Sequence, residues 1–187
     1  MGQHPNFIPV LGRLLNAPNS QMGLILPLIS SDFQILGNPP SFDSITRDTF
    51  KAGTSFTLSF IVQCLRGIAS AALHLHSTVS LMHGDLYAHN ILVNDTGSTP
   101  LLTDFGAASF KRGDDVSFSA EEVQCLEGIE VRAFGCLIDD LLSHLEKDDA
   151  NSVDTLNSLE ALRTRCWDVS VLSRPRFSEI EIGRAHV

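Results

Sequence analysis

Residues His83-Gly84-Asp85-Leu86-Tyr87-Ala88-His89-Asn90, followed by Asp104-Phe105-Gly106, decide how this chain is read. Asn90 lies five residues after Asp85, and Asp104 lies 14 after Asn90. Between them stand two apolar runs, Ile91-Leu92-Val93 and Leu101-Leu102-Thr103, separated by Asn94-Asp95-Thr96-Gly97. Short β-formers around a turn of that composition predict a strand-turn-strand unit. Such a unit delivers the polar residues at its ends to one place, where sites are often built.

Outward from this unit the period changes. Leu58, Ile61, Val62, Leu65, Ile68, Ala69, Ala72 and Leu73 recur at three-four spacing and predict a helix, with Thr54 or Ser55 as its cap. A second face runs through Val131, Phe134, Leu137, Ile138, Leu141, Leu142 and Leu145, and a weaker third through Leu156, Leu159, Leu162 and Cys166. Residues 1–40 are rich in Pro, Gly and Asn; Phe7–Leu11 and Leu24–Ile29 are predicted strands, and Gly37-Asn38-Pro39-Pro40 is a connector that cannot be helix. The element order predicts an α+β, mainly helical architecture without internal repeats.

Composition narrows the function classes. The chain has 187 residues, 43% of them apolar, which is enough for a buried core and too apolar for disorder. Thirteen Lys and Arg against 22 Asp and Glu give a net charge of −9, which excludes nucleic acid as the expected partner. The longest apolar run, Met22–Ile29, is interrupted by Gly23 and Pro27, so no membrane segment or secretory signal is expected. Asn6 stands where a myristoylation signal needs Ser or Thr. Cys64, Cys125, Cys136 and Cys166 are widely spaced and read as buried free thiols in a reducing, cytoplasmic setting.

The two motifs match the catalytic-loop and metal-binding signatures of protein kinases, H-R-D-L-x-x-x-N and D-F-G. Other stretches agree. Phe134-Gly135-Cys136-Leu137-Ile138-Asp139-Asp140-Leu141-Leu142 resembles the central buried helix of that family. Cys166-Trp167 with Arg174-Pro175-Arg176-Phe177 resembles its C-terminal C-W…R-P-x-F stretch, and His4-Pro5-Asn6 the turn after its regulatory helix. The chain thus resembles the C-terminal lobe of a protein kinase, most closely kinases attached to leucine-rich repeats. The resemblance divides it into the last strands of the small lobe (1–29), a hinge and linker (30–41) and the large lobe (42–181). Residues 182–187 resemble translated sequencing-adapter read-through and are expected to be a non-native tail.

The resemblance implies ATP and Mg²⁺ as cofactors and a protein hydroxyl as acceptor. Asp85 would orient the hydroxyl and take its proton, with Asn90 beside it in the catalytic machinery. Asn90 and Asp104 would hold Mg²⁺ through hard oxygen donors. Leu26, Pro27 and Ile29 would face the adenine, and Leu92 would form its floor. His83 and Phe105 would pack beneath the site, with Gly106, Glu130 and Arg174 in structural roles.

The sequence departs from the family at several points. No Gly-rich loop or strand Lys is present, so a fragment is expected, with the small lobe and leucine-rich repeats upstream in the parent protein. Gly84 replaces the Arg that meets an activation-segment phosphate, so Ser109, Ser117 and Ser119 are not expected to need phosphorylation. No Ala-Pro-Glu follows Asp104, and Glu121, Glu122 or Glu127 are the expected substitute partners for Arg174. Two alternatives stand beside the kinase reading: a small-molecule phosphotransferase of the aminoglycoside or choline kinase type, which shares His-Gly-Asp, and a pseudokinase-like binding module. His74 and His76 are expected to be structural, and Asp139, Asp140, Asp148 and Asp149 to form a solvated face. Tyr87 is expected to pack, and Lys111-Arg112 is too small a cluster for nucleic acid.

Overall fold

The computed structural model describes residues 3–15, 22–45, 47–94, 99–110, 112–113, 116–146 and 152–182. Among the described residues three α-helices form the body: α1 (Leu58–His74), α2 (Ala120–Ser143) and α3 (Val153–Cys166). The apolar face of α1 buries Ile61, Cys64, Leu65, Ile68 and Ala72 against Phe134, Leu137, Ile138 and Leu141 of α2 in one core. The α2–α3 contact is close because Gly135 has no side chain; a Cβ there would stand 2.8 Å from Cys166 and Trp167.

The cap of α1 is Thr57, whose side chain accepts from the Phe60 amide, and not Thr54 or Ser55. Phe56 explains the shift. Its amide donates to the His144 carbonyl at 2.8 Å and its carbonyl accepts from Glu146 at 3.0 Å. These bonds hold Phe56 extended at the far end of α2, so helical geometry begins only after it. The helix α1 continues into a π-turn, Leu75–Val79, closed by Ser80 in the left-handed region. His74 and His76 diverge there as their spacing requires: His74 packs by His4 and Phe7, and His76 meets Glu130. The stretch Leu58–Val79 has the length and hydropathy of a membrane span, and half of its most apolar window is buried in the core.

Helix α2 starts at Ala120, eleven residues before the apolar stripe that begins at Val131. Ser119 and Glu122 form a reciprocal capping box at its start. The expected solvated face of Asp139 and Asp140 is also corrected. Arg47 reaches both, Asp139 at 2.7 Å, and Asp140 is buried. Asp148 and Asp149 lie outside the described residues.

The strands are short. A three-stranded antiparallel sheet has the order β3 (Gln34–Ile35), β5 (Ile91–Val93), β6 (Leu101–Leu102), with Ile35 opposite Leu92 and Leu92 opposite Leu101. Of the predicted turn between β5 and β6, Asp95, Thr96 and Gly97 lie outside the described residues. At the N-terminus, β1 (Gly12–Leu14) pairs with β2 (Gly23–Ile25). The predicted strands Phe7–Leu11 and Leu24–Ile29 are therefore displaced or shortened. Pro9 and Pro27 lack the N–H that a ladder needs; Phe7 keeps a single bridge, to Leu102. Further along, β4 (Leu81–Met82) pairs with β7 (Ser109–Phe110), and β8 (Arg112–Gly113) with β9 (Val116–Ser117). The side chains of Lys111, Arg112 and Ser117 lie outside the described set.

All four cysteines are free. Cys64 and Cys166 are buried deeply enough that desolvation pushes their thiols up to about 12, so they are inert at neutral pH. Ile182 is buried and its carbonyl accepts from Arg66 at 2.7 Å, so it belongs to the packed body. Residues 183–187 of the expected tail lie outside the described residues.

Candidate active site

The loop after β4 is built around His83, which has no exposed surface. Its Nε2 faces the Thr103 carbonyl at 2.8 Å, and its Nδ1 faces the Asp85 amide at 3.3 Å. A carbonyl only accepts and an amide only donates, so Nε2 carries the proton and Nδ1 the lone pair. The Phe105 ring meets the His83 ring edge-on, with centroids 4.9 Å apart, and Phe7 closes on Phe105 from the other side at 5.7 Å.

Helix α2 anchors the same loop through Glu130. The Glu130 carboxylate accepts from the His83 amide at 2.9 and 3.2 Å and meets His76 Nε2 at 2.8 Å. Glu130 is 3% exposed, and a carboxylate so buried needs such partners.

Gly84 has φ +82°, and a Cβ on it would collide with the Ala107 carbonyl. The position where the family resemblance expects Arg is thus occupied by close backbone contact with the segment after Asp104. Only glycine meets both the left-handed geometry and the close approach.

Asp85 and Asn90 face each other. The Asn90 side-chain amide donates to the Asp85 carbonyl at 2.9 Å and to Asp85 Oδ2 at 2.8 Å. With its donors turned to Asp85, the amide oxygen of Asn90 is the end left for a cation. Thr103 ties the next strand to this point, donating from its amide at 2.9 Å and its hydroxyl at 3.0 Å to the Asn90 carbonyl. Asp104 follows directly. It has φ +53°, and its Oδ1 accepts from the Gly106 amide at 3.0 Å, capping the short turn Phe105–Ala107. A non-glycine residue held in the left-handed region is costly and is typical of functional sites.

Among the described residues no three His, Cys, Asp or Glu side chains converge as a metal site. The candidate donors named from sequence are the Asp104 carboxylate and the Asn90 amide oxygen. Mg²⁺ commonly keeps such a sparse protein shell and completes its octahedron with waters and substrate phosphates. Asp104 and Asn90 fit that role.

The expected adenine contacts are less enclosed. Leu92 is half-buried between Ile35 and Leu101 on the face of the sheet opposite buried Ile91 and Val93, and forms an apolar platform. Leu26 is 48% exposed and Pro27 and Ile29 are half-buried, in a segment without strand structure. A cavity of about 630 Å³ is lined by Ile35, Phe50, Phe56, Phe60, Lys51 and Glu146; it shares Ile35 with the site, and none of Asp85, Asn90, Asp104 or Leu92 borders it.

Arg174 is corrected in its partners. It donates from Nε to the Asp168 carbonyl and from Nη1 to the Gly128 carbonyl, both at 2.9 Å. Glu122 serves the Ser119 cap and Glu127 faces Arg176 at 3.9 Å. The backbone carbonyls of Gly128 in α2 and Asp168 after α3 thus take the place of the acidic partner expected from sequence.

Sequence reasoning passed over three residues of the site. Ile35 pairs with Leu92 from a two-residue strand too short to show a period. His89 lies 3.2 Å from Asp85 Oδ2, and Asp48 lies 2.8 Å from His89. The four-residue spacing of Asp85 and His89 was an available signal. Asp48 had none, being 41 residues away from His89. Burial works against charge on His89, and the hydrogen bonds to Asp48 and Asp85 outweigh it, holding the imidazole above its ordinary range.

No family model matches the chain. Comparison with curated proteins finds kinases. The chain is 27% identical over 209 residues to the dual specificity protein kinase shkD of Dictyostelium discoideum, covering 95% of this chain and 26% of that protein. It is 27% identical to the cysteine-rich receptor-like protein kinase 46 of Arabidopsis thaliana, covering 88% of this chain and 27% of the relative. It is 28% identical to the ephrin type-B receptor 4a of Danio rerio, covering 95% and 20%. The chain spans about a quarter or less of the length of the curated relatives it matches. It is similar to protein kinases over most of its length, and these relatives lend no support to the leucine-rich-repeat likeness.

Proposed function

We propose that this chain carries the catalytic loop of an ATP- and Mg²⁺-dependent protein kinase, which transfers the γ-phosphoryl group to a Ser, Thr or Tyr hydroxyl. The observation that supports the reading is the bond of Asn90 to Asp85 together with the hold of Thr103, the neighbour of Asp104, on the Asn90 carbonyl. The same grouping fits the similarity to kinases of several specificities.

Asp85, partly open to solvent, has an acceptor oxygen to orient a substrate hydroxyl and take its proton as the new P–O bond forms and the bond to ADP breaks. Asn90 holds Asp85 in place through its amide hydrogens and presents its oxygen to the metal. Asp104, whose Oδ1 accepts from the Gly106 amide, would hold the metal through its second carboxylate oxygen. Mg²⁺ on the nucleotide phosphates supplies neutralisation of the charge on the transferred group. Leu92, with Ile35 and Leu101, offers the apolar floor for the adenine.

The test is Asp104→Ala in the full-length polypeptide that carries this chain, assayed with Mg-ATP against protein and small-alcohol acceptors. Loss of protein phosphorylation with a folded variant is the expected result. Unchanged ATP-dependent phosphorylation would refute the assignment, and transfer only to small alcohols would replace it with the small-molecule phosphotransferase reading.

A further inference from the structure

Asn90 is not the sole support of the Asp85 carboxylate. Asp48, whose side chain is 1% exposed, gives both of its oxygens to His89: Oδ1 lies 2.8 Å from ring Nδ1, and Oδ2 accepts from the His89 amide at 2.8 Å. This pair of bonds fixes the backbone and the ring of His89 together. The opposite ring nitrogen, Nε2, points at Asp85 Oδ2 at 3.2 Å. The Tyr87 ring lies parallel to the imidazole, with centroids 6.3 Å apart and planes 7° apart, which restricts ring rotation further. Carboxylate oxygens accept on both sides, so both ring nitrogens donate.

We propose that His89, oriented by buried Asp48, is a positioning residue that selects which oxygen of Asp85 is offered to the acceptor hydroxyl; the inference rests on reading Asp85 as the proton acceptor. Oδ2 receives two donors, Asn90 Nδ2 and His89 Nε2. Oδ1 is thereby left for the incoming hydroxyl. Without His89, an Asp85 side chain that is 39% exposed would be held by Asn90 alone and would rotate about its terminal torsion, which is broad for carboxylates. His89 does not meet the substrate in this arrangement. Its effect is on orientation, and orientation appears in turnover more than in nucleotide affinity.

The experiment compares wild type, His89→Ala, His89→Gln and Asp48→Asn in the full-length polypeptide, with Mg-ATP and a protein acceptor. His89→Ala is expected to lower kcat by about ten- to a hundred-fold and to leave the KM for ATP within about twofold. Asp48→Asn should fall in the same direction by less, and His89→Gln, which keeps a donor facing Asp85, should recover part of the loss. A kcat for His89→Ala within about twofold of wild type, or a loss confined to KM, would overturn the proposal. A second readout does not depend on turnover: in protein labelled with ¹⁵N-histidine, a slowly exchanging ring N–H resonance should be present in wild type, absent in His89→Ala and weakened in Asp48→Asn. That resonance with no phosphotransfer by wild type would sink the kinase reading and leave the Asp48–His89–Asp85 arrangement standing. Phosphotransfer without the resonance would sink the arrangement alone.

Discussion

Replacing Glu130 with Leu tests how α2 holds the catalytic loop. The carboxylate is 1% exposed at its side chain and accepts from the His83 amide and from His76 Nε2. Leucine fills most of the volume and removes every acceptor, leaving a buried amide N–H and a buried imidazole nitrogen facing hydrocarbon. A buried donor left unsatisfied costs about 1–3 kcal/mol, so two give roughly 2–6 kcal/mol. Glu130→Gln keeps an oxygen for His83 and should cost about 1 kcal/mol, the worth of one exchanged hydrogen bond. Urea unfolding followed through Trp167, the single tryptophan, reads both values from the transition midpoint. The reasoning fails if the leucine variant loses under about 1 kcal/mol, because the desolvated donors would then have found other partners.

Other consequences follow from particular contacts. Gly84→Ala should destabilise by at least the roughly 1–2 kcal/mol of a left-handed alanine, and more through its clash with the Ala107 carbonyl; a neutral result in the same unfolding assay would contradict the packing. Thr57→Ala should cost about 1 kcal/mol, while Thr54→Ala and Ser55→Ala should be near neutral, which the same assay separates. Burial raises the Asp139 carboxyl, and the hydrogen bonds and charges of Arg47 and Arg163 outweigh it, so the folded value lies below the ordinary one. The stability this gives is present above the unfolded value near ~4 and is lost as pH falls through the folded value. Asp139→Asn should therefore be less stable at neutral pH, with the gap to wild type closing in acid; a gap independent of pH would refute the pairing.

The helices were legible because their apolar spacing is the same physics that packs them. Ile61, Leu65 and Ile68 of α1 and Phe134, Leu137 and Leu141 of α2 are all fully buried. What apolar spacing could not locate were helix starts set by other contacts. The start of α1 depends on the long-range reach of Phe56 to His144, and the start of α2 on a local polar capping box, Ser119 with Glu122, outside the apolar stripe. The trio Asp85, Asn90 and Asp104 was readable because its order and spacing lie within one strand-turn-strand unit. Asp48 and Ile35 come from a distant stretch with no pattern of its own, so only the fold brings them to His89 and Leu92.

The bond pair between Phe56 and the His144–Glu146 turn has one more consequence. It joins the entrance of α1 to the exit of α2, so the chain from 56 to 146 is a closed circuit. The loop of Asp85, the strands that follow it and the segment after Asp104 all lie on that circuit. Length changes outside it therefore leave the spacing of Asp85, Asn90 and Asp104 intact, while a cut within it opens the ring. Asp48 is outside the ring and presses into it at His89, so a displacement of the stretch before α1 is felt at Asp85 without any change in the circuit itself.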